Sequence, residues 1–186
     1  TPADFLLLEV GLGGRLDCTN VIEASLISVI NTVSYDHMEY LGESLRQIAA
    51  EKAGILKPGI PCVLGPQTME AQNTVSFIAQ EKNCPVYSYK DAPAYKTNLI
   101  GAHQQINAQL CTRTLYVVKK QDSLNITDEQ IRKGLQNVHW PARLQKISLD
   151  ALHSWEIYLD GGHNQDAAHA LAAKLKQWKI NAPKPT

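Results

Sequence analysis

Short apolar runs that each stop at a polar cluster recur along this chain, and helical periodicities separate them. Phe5 to Leu8 ends at Glu9, and Ala24 to Val33 ends at Ser34, Tyr35, Asp36 and His37. Pro61 to Gly65 and Pro85 to Tyr89 follow, and Trp155 to Leu159 ends at Asp160-Gly-Gly-His-Asn164. Runs of this length, rich in branched residues, suit strands buried in a parallel sheet. Alternation of such runs with helices specifies an α/β fold, a mostly parallel sheet flanked by helices. Ligands of open α/β sheets sit beyond the carboxyl ends of the strands. Glu9 and His37 are therefore expected at one sheet edge.

The helices between the runs have clear signals. Ser44 to Ala53 carries an apolar stripe of Leu45, Ile48, Ala49, Ala53 and Leu56, with Lys52 in its midst, and Lys57-Pro-Gly59 stops it. Burying an ammonium is costly unless it is paired. Lys52 either snorkels its head to water or is desolvated, its pKa lowered, as a nucleophile. Thr68 to Lys82 reads as a helix through Val75, Ile78 and Ala79. Gly101 precedes a helix whose first turns hold His103, Gln104 and Asn107, and whose apolar side is Leu110, Cys111, Leu115 and Val118. Those amides either cap the helix or read a base edge with their paired donors and acceptors. Thr127-Asp-Glu-Gln130 is a capping box ahead of Ile131, Leu135 and Val138. Arg143, after Trp140-Pro141, is either solvated or clamps a phosphate from a rigid turn. A short strand at Ile147 to Leu149 precedes a turn at Asp150 to Ser154. A final helix carries Ala168, Leu171, Leu175 and Trp178. A domain boundary is expected near 148–154, giving residues 1–150 and 151–186.

Glu9-Val-Gly-Leu-Gly-Gly-Arg15 supplies three glycines that permit a sharp turn and a close approach to a ligand. It is no dinucleotide fingerprint, because Leu16 stands where G-x-G-x-x-G needs its last glycine. Charge adds little: 18 Lys and Arg balance 18 Asp and Glu, so no nucleic-acid or polybasic membrane footprint is present. Cys18, Cys62, Cys84 and Cys111 show no C-x-x-C spacing, which argues against zinc and fits a reducing cytoplasm. No run is long enough to span a bilayer, and no signal peptide is read at the start. The missing initiator Met and the unfinished Pro183-Lys-Pro-Thr186 read as a piece of a longer protein.

Taken in order, several stretches resemble the folylpolyglutamate synthase / dihydrofolate synthase family of the Mur ligase superfamily. They are Glu9-Val-Gly-Leu-Gly-Gly-Arg-Leu-Asp-Cys-Thr-Asn20, Ser34-Tyr-Asp-His-Met-Glu-Tyr-Leu-Gly42, Ile48-Ala-Ala-Glu-Lys-Ala-Gly-Ile55, Gly101-Ala-His-Gln-Gln-Ile-Asn-Ala108, Trp140-Pro-Ala-Arg-Leu-Gln145 and Leu159-Asp-Gly-Gly-His-Asn164. The Leu-Gly-Gly-Arg-Leu-Asp segment distinguishes the family from cell-wall Mur ligases. Cys18, Ala142 and Gly162 replace the family's usual Ala, Gly and Ala, and the segment before Leu99 is shorter than in relatives. The phosphate loop G-x-x-x-x-G-K-[ST], which relatives carry upstream of the Glu9 segment, is absent from these residues, as is most of a C-terminal domain.

The resemblance implies a central ATP-binding domain over 1–150 and the start of a Rossmann-like glutamate-ligase domain over 151–186. It implies an ATP-dependent ligase that joins L-glutamate to dihydropteroate or folates through an acyl phosphate, acting as a cytoplasmic monomer without nucleic-acid or membrane partners. It implies magnesium at Glu9 and His37, with manganese tolerated there and potassium as a further ion. Lys52 matches a lysine that the family carries as a carbamate. By the same resemblance Gln104 and Asn107 hold adenine, Arg143 a phosphate, Asp160 and His163 the nucleotide, and Asp17 lies near the pterin. Two other readings stand beside this one: a non-catalytic remnant of the fold, and another amino-acid ligase of the superfamily.

Overall fold

In the computed structural model, residues 3–121, 124–147 and 156–181 are described. The expected α/β architecture is present. Strands β1 (Ser28–Ile30), β2 (Cys62–Leu64) and β3 (Val86–Ser88) form one parallel sheet in the order β1-β2-β3. Ser28 lies opposite Cys62, and Cys62 opposite Val86. The crossovers run through α2 (Leu45–Ala53) and α3 (Met69–Glu81), after a short helix α1 (Met38–Leu41). Helices α4 (Ala102–Lys120) and α5 (Asp128–Gln136) follow. A hairpin of β4 (Gln145–Ile147) and β5 (Ile157–Leu159) leads to α6 (Gln165–Asn181).

Side chains of successive strand residues point to opposite faces, and this alternation makes three layers. Cys62 and Leu64 face α2 and α3, where they pack with Ile48, Ala53, Leu56 and Val75 in the main core. Val63 faces the other way, onto Leu110 and Val117 of α4. Beyond α4, Ile131 and Leu135 of α5 close on Ala108. The helix starts follow their capping signals. Ser44 and Thr127 each make a complete capping box, and Thr68 accepts from the Ala71 N–H. Gly54, rather than Lys57-Pro-Gly59, ends α2. On α4 the buried residues include Ala108, Leu110, Thr112 and Val118, whereas Cys111 is exposed.

The first run departs from expectation. Phe5 to Leu8 form no strand, and Leu6 and Leu7 are 78% and 96% exposed. An apolar run becomes a strand only where a neighbour takes its N–H and C=O groups. β1 is an edge of this sheet, and the run lies outside the ladder. The run at Ala24 to Val33 contracts to Ser28–Ile30 for a local reason. After Ile30 the chain is held by a side chain instead of a strand: Gln67 Nε2 donates to the Asn31 carbonyl at 2.6 Å, and its Oε1 accepts the Val33 N–H at 3.0 Å. The expected strand at Ile147 to Leu149 is β4, two residues earlier. The turn at Asp150 to Ser154 and the boundary at 148–154 lie outside the described residues. The strands on either side of that boundary pair antiparallel, Gln145 opposite Leu159. No helix among the described residues is long and apolar enough to cross a membrane.

Candidate functional site

Two adjoining cavities open at the carboxyl end of β1. Asn31 and Thr32, the residues that follow the strand, line both. The larger measures about 770 Å³, within the range of small-molecule sites. Its wall includes Glu9, Gln104, Asn107, Arg143 and Asp160, brought from four separate segments. His163 is exposed, lies outside this lining and bonds its own Gly161 carbonyl.

The start of α4 is set by Gly101, whose φ of 119° only glycine adopts readily. Gln104 is buried, and its Oε1 accepts from Asn107 Nδ2 at 3.4 Å. Asn107 Oδ1 in turn accepts from Asn31 Nδ2 at 3.1 Å. The two amides are thus a connected pair anchored to the end of β1, not a cap: the helix start has no side-chain cap. One hydrogen of the Asn107 amide group remains for a ligand. His103 lines the same cavity. Burial pushes its pKa below the ordinary histidine value; Asp160 opposes that and Arg143 adds to it.

The turn that carries Arg143 is held by strained backbone and by Asp160. Ala142 and Leu144, on either side of the arginine, have φ of 57° and 48°. Left-handed conformations at non-glycine residues persist only where the surroundings enforce them. Here Gly161 N–H donates to the Ala142 carbonyl at 2.8 Å, and Leu144 N–H donates to Asp160 Oδ2 at 2.9 Å. Asp160 Oδ1 accepts the Gly162 N–H at 2.8 Å. Asp160 Oδ2 therefore organises the Arg143 turn, while Oδ1 organises the loop that follows Asp160 itself. Trp140, which precedes the turn, is 55% exposed.

The smaller cavity, about 250 Å³, is lined by Gly11, Gly13, Asp36, His37 and Lys52 among others. His37 has a left-handed φ of 48° and starts α1. Its N–H donates to Asp36 Oδ1 at 3.0 Å, and Asp36 Oδ2 accepts from Asn164 Nδ2 at 3.1 Å. The Asn164 hydrogen bond leads the causes that hold the Asp36 carboxyl below its usual value, with His37 and its N–H contributing. Lys52 does not share the burial of Ile48, Ala49 and Ala53; it is half-buried and opens onto the cavity.

Glu9 is exposed in the larger cavity, while His37 stands in the smaller one. Among the described residues, no group of three or more His, Cys, Asp and Glu side chains is assembled for a metal. Glu9 offers a carboxylate of the kind magnesium takes, since that ion is typically held by one or two protein carboxylates together with substrate phosphates and water.

The glycine loop makes its close approach to α2. A Cβ on Gly14 would stand 2.9 Å from the Glu51 carbonyl oxygen, and one on Gly54 would stand 2.4 Å from Arg15 Cβ. Arg15 N–H donates to the Glu51 carbonyl at 2.8 Å, and its guanidinium grips the Glu51 carboxylate at 2.9 Å. Asp17, expected beside the substrate, is occupied by its own loop. It accepts the N–H groups of Gly11, Leu12 and Thr19 and the Thr19 hydroxyl. Led by the Thr19 hydroxyl and the Leu12 N–H, these bonds lower its pKa from 3.8 to about 2. A lowered folded-state pKa stabilises the loop fully above pH 4, and that contribution is lost as pH falls through 2. The Gly11 and Leu12 amide nitrogen shifts are expected to titrate with a midpoint near pH 2. A midpoint at 3.8 would show that the carboxylate is not held by these donors.

Sequence reasoning missed Asn31, Gln67 and Asn164 as organisers. Asn31 and Gln67 have no periodic signal; Asn164 stands in a motif that drew attention to its neighbours instead.

Known proteins resemble this chain in sequence and in fold. No family model matches the chain. The dihydrofolate synthase/folylpolyglutamate synthase of Bacillus subtilis is 36% identical over 203 residues, covering 96% of this chain and 46% of that protein. The folylpolyglutamate synthase of Lacticaseibacillus casei is 35% identical, covering 94% of this chain and 45% of the enzyme. Among solved structures, a folylpolyglutamate synthase in complex with AMPPCP and folate superposes with a TM-score of 0.84 at 34% identity, over 92% of this chain and 46% of that one. The synthase of Thermotoga maritima gives 0.71 at 31% identity, over 90% of this chain and 42% of that one. The chain thus spans about half the length of the curated relatives it matches. Over the region it spans, the chain is similar in sequence and fold to folylpolyglutamate synthases and dihydrofolate synthases.

Proposed function

We propose that the protein containing this chain is an ATP-dependent ligase that adds L-glutamate to dihydropteroate or folates, and that this chain supplies the base, phosphate-side and lysine elements of its site. The observation that carries the reading is that Gln104, Asn107, Arg143 and Asp160, from distant segments, line one cavity of about 770 Å³. Asn107 and Gln104 would read adenine, whose edge presents a donor beside an acceptor. Arg143, fixed between two strained residues, would neutralise phosphate charge. Asp160 would act through that turn, and His163 would approach the nucleotide from outside the lining. Glu9 and His37 would hold magnesium, with manganese tolerated there and potassium as a further ion. Bound magnesium would neutralise the phosphate oxygens during phosphoryl transfer. Asp17 would shape the glycine loop toward the pterin rather than touch it. Residues 1–150 would form the ATP-binding unit and 151–186 the beginning of the glutamate side, with β4 and β5 bridging the two. The protein would act as a cytoplasmic monomer.

The test is phosphate release that requires both glutamate and a pteroate or folate, measured on a protein extended to the length of its relatives. Activity with those substrates supports the reading. No turnover with any amino acid favours a remnant of the fold, and turnover with a different acid favours another ligase. The 186-residue chain alone lacks the phosphate loop and is expected to be inactive. In the extended protein, Glu9→Gln and His37→Ala are each expected to cut turnover and raise the magnesium requirement. Normal magnesium dependence in either variant would overturn the metal assignment.

A further inference from the structure

We propose that Asn164 and Asp36 form a latch that ties the two cavities together, with Asn164 as a positioning residue for His37. This deepens the ligase reading and rests on it only for its catalytic consequence. The two residues are 128 positions apart in sequence, and Asn164 Nδ2 donates to Asp36 Oδ2 at 3.1 Å. Neither end of that bond is loose. Asn164 Oδ1 accepts the Ala167 N–H at 2.9 Å, and the Asn164 carbonyl accepts the Ala168 N–H at 3.0 Å, so the side chain is pinned to the first turn of α6. The other Asp36 oxygen takes the N–H of His37, the residue held at φ 48°.

Hydrogen bonds therefore run without a break from α6 through Asn164 and Asp36 to the strained histidine. The turn that contains Asn164 also contains Asp160, which fixes the Arg143 turn through Leu144. One short segment, Asp160 to Asn164, thus sets the backbone around both Arg143 and His37. Either turn could be held by local bonds alone, but these two are held by the same piece of chain. A shift of that piece on binding would reach both cavities together.

A simple helix cap would involve Asn164 with α6 only. The latch adds a required donor-to-acceptor match with position 36, which an exchange of the two residues can test. Asn164→Asp keeps a good cap but sets a carboxylate against the Asp36 carboxylate. Asp36→Asn leaves an amide facing an amide. The double variant Asp36→Asn/Asn164→Asp restores the match. The new amide at 36 offers its oxygen to the His37 N–H and its NH₂ to position 164, and the new carboxylate at 164 accepts from both sides.

The measurement is amide hydrogen exchange at His37 and Ala167 in the 186-residue chain, for the parent and the three variants. Asn164→Asp is expected to speed exchange at His37 by roughly tenfold while Ala167 stays protected, and the double variant to return His37 to within about twofold of the parent. Unchanged His37 exchange in Asn164→Asp, or a double variant no better than the worse single one, would overturn the latch. The same four proteins, extended to the length of the relatives, give the second readout: kcat at saturating ATP should fall in both single variants and recover in the double. Recovery of exchange without any change of kcat among active proteins would overturn the positioning role. A parent that lacks ligase activity but shows the exchange pattern would leave the latch standing and remove the ligase reading.

Discussion

Replacing Lys52 by alanine in the length-extended protein is expected to lower kcat by about 10²–10³-fold, the scale on which removal of one charge-stabilising group acts. Lys52 is half-buried and lines the smaller cavity, and among the described residues no ion pair or hydrogen bond to its ammonium is seen. An ammonium in that place would contact phosphate directly. A carbamate, formed when the neutral amine adds carbon dioxide and releases a proton, would instead present an anion toward the metal. The two states differ in sign of charge, so one experiment separates them. If Lys52 is a carbamate in the active protein, as the family pattern suggests, stripping bicarbonate abolishes activity and restoring it brings activity back, with a carbon-13 signal from labelled carbon dioxide at Lys52. A short carboxylic acid would then partly rescue Lys52→Ala. Full activity without bicarbonate, with a bare amine in the metal-bound protein, would rule the carbamate out. The isolated chain, with its partial donor set, is expected to hold the modification weakly.

Gly54→Ala is expected to cost about 1–3 kcal/mol, a fall in Tm of roughly 2–12 °C. The glycine ends α2 with an ordinary φ of −58°, so backbone preference is not the cause. The cause is contact: a Cβ there would lie 2.4 Å from Arg15 Cβ, 2.5 Å from its Cα and 2.9 Å from its backbone nitrogen. No side-chain rotation removes a clash with backbone. The loop must lift, and with it go Gly11 and Gly13 in the wall of the smaller cavity. Gly134→Ala is the matched control. It lies inside α5 with nothing within 4 Å of the added carbon, and is expected to stabilise by about 0.5–1 kcal/mol. Equal thermal stability of Gly54→Ala and the parent would mean that the loop does not sit on the helix as described.

The helices were legible because their signals are local. Ser44 and Thr127 cap where the sequence places them, and Ile48, Ala49 and Ala53 are buried as the stripe requires. The strands were legible only in part. Phe5 to Leu8 has the composition of a strand, but a strand is a relation between two segments and the second is not written in the first. The site divides the same way. Gln104, Asn107, Arg143 and Asp160 were found from their motifs and meet in one cavity. What each does locally was not legible: Asp17 serves its own loop, Asp160 serves the Arg143 turn, and Lys52 is half-buried on the smaller cavity. Asn31, Gln67 and Asn164 act through amide groups that reach partners 34 to 128 residues away, and no spacing rule reports such pairs.

The β4–β5 hairpin has a consequence for gene fusion. Leu144 N–H leans on Asp160, the Ala142 carbonyl receives Gly161 N–H, and Gln145 lies opposite Leu159. A chimera that joins two members of the family at the outwardly natural seam near residue 150 would therefore mix parents within one two-stranded sheet and one arginine turn. A crossover placed before Ala142 keeps those partners from one parent, so that the inherited unit begins with the arginine and not with the strand that follows it.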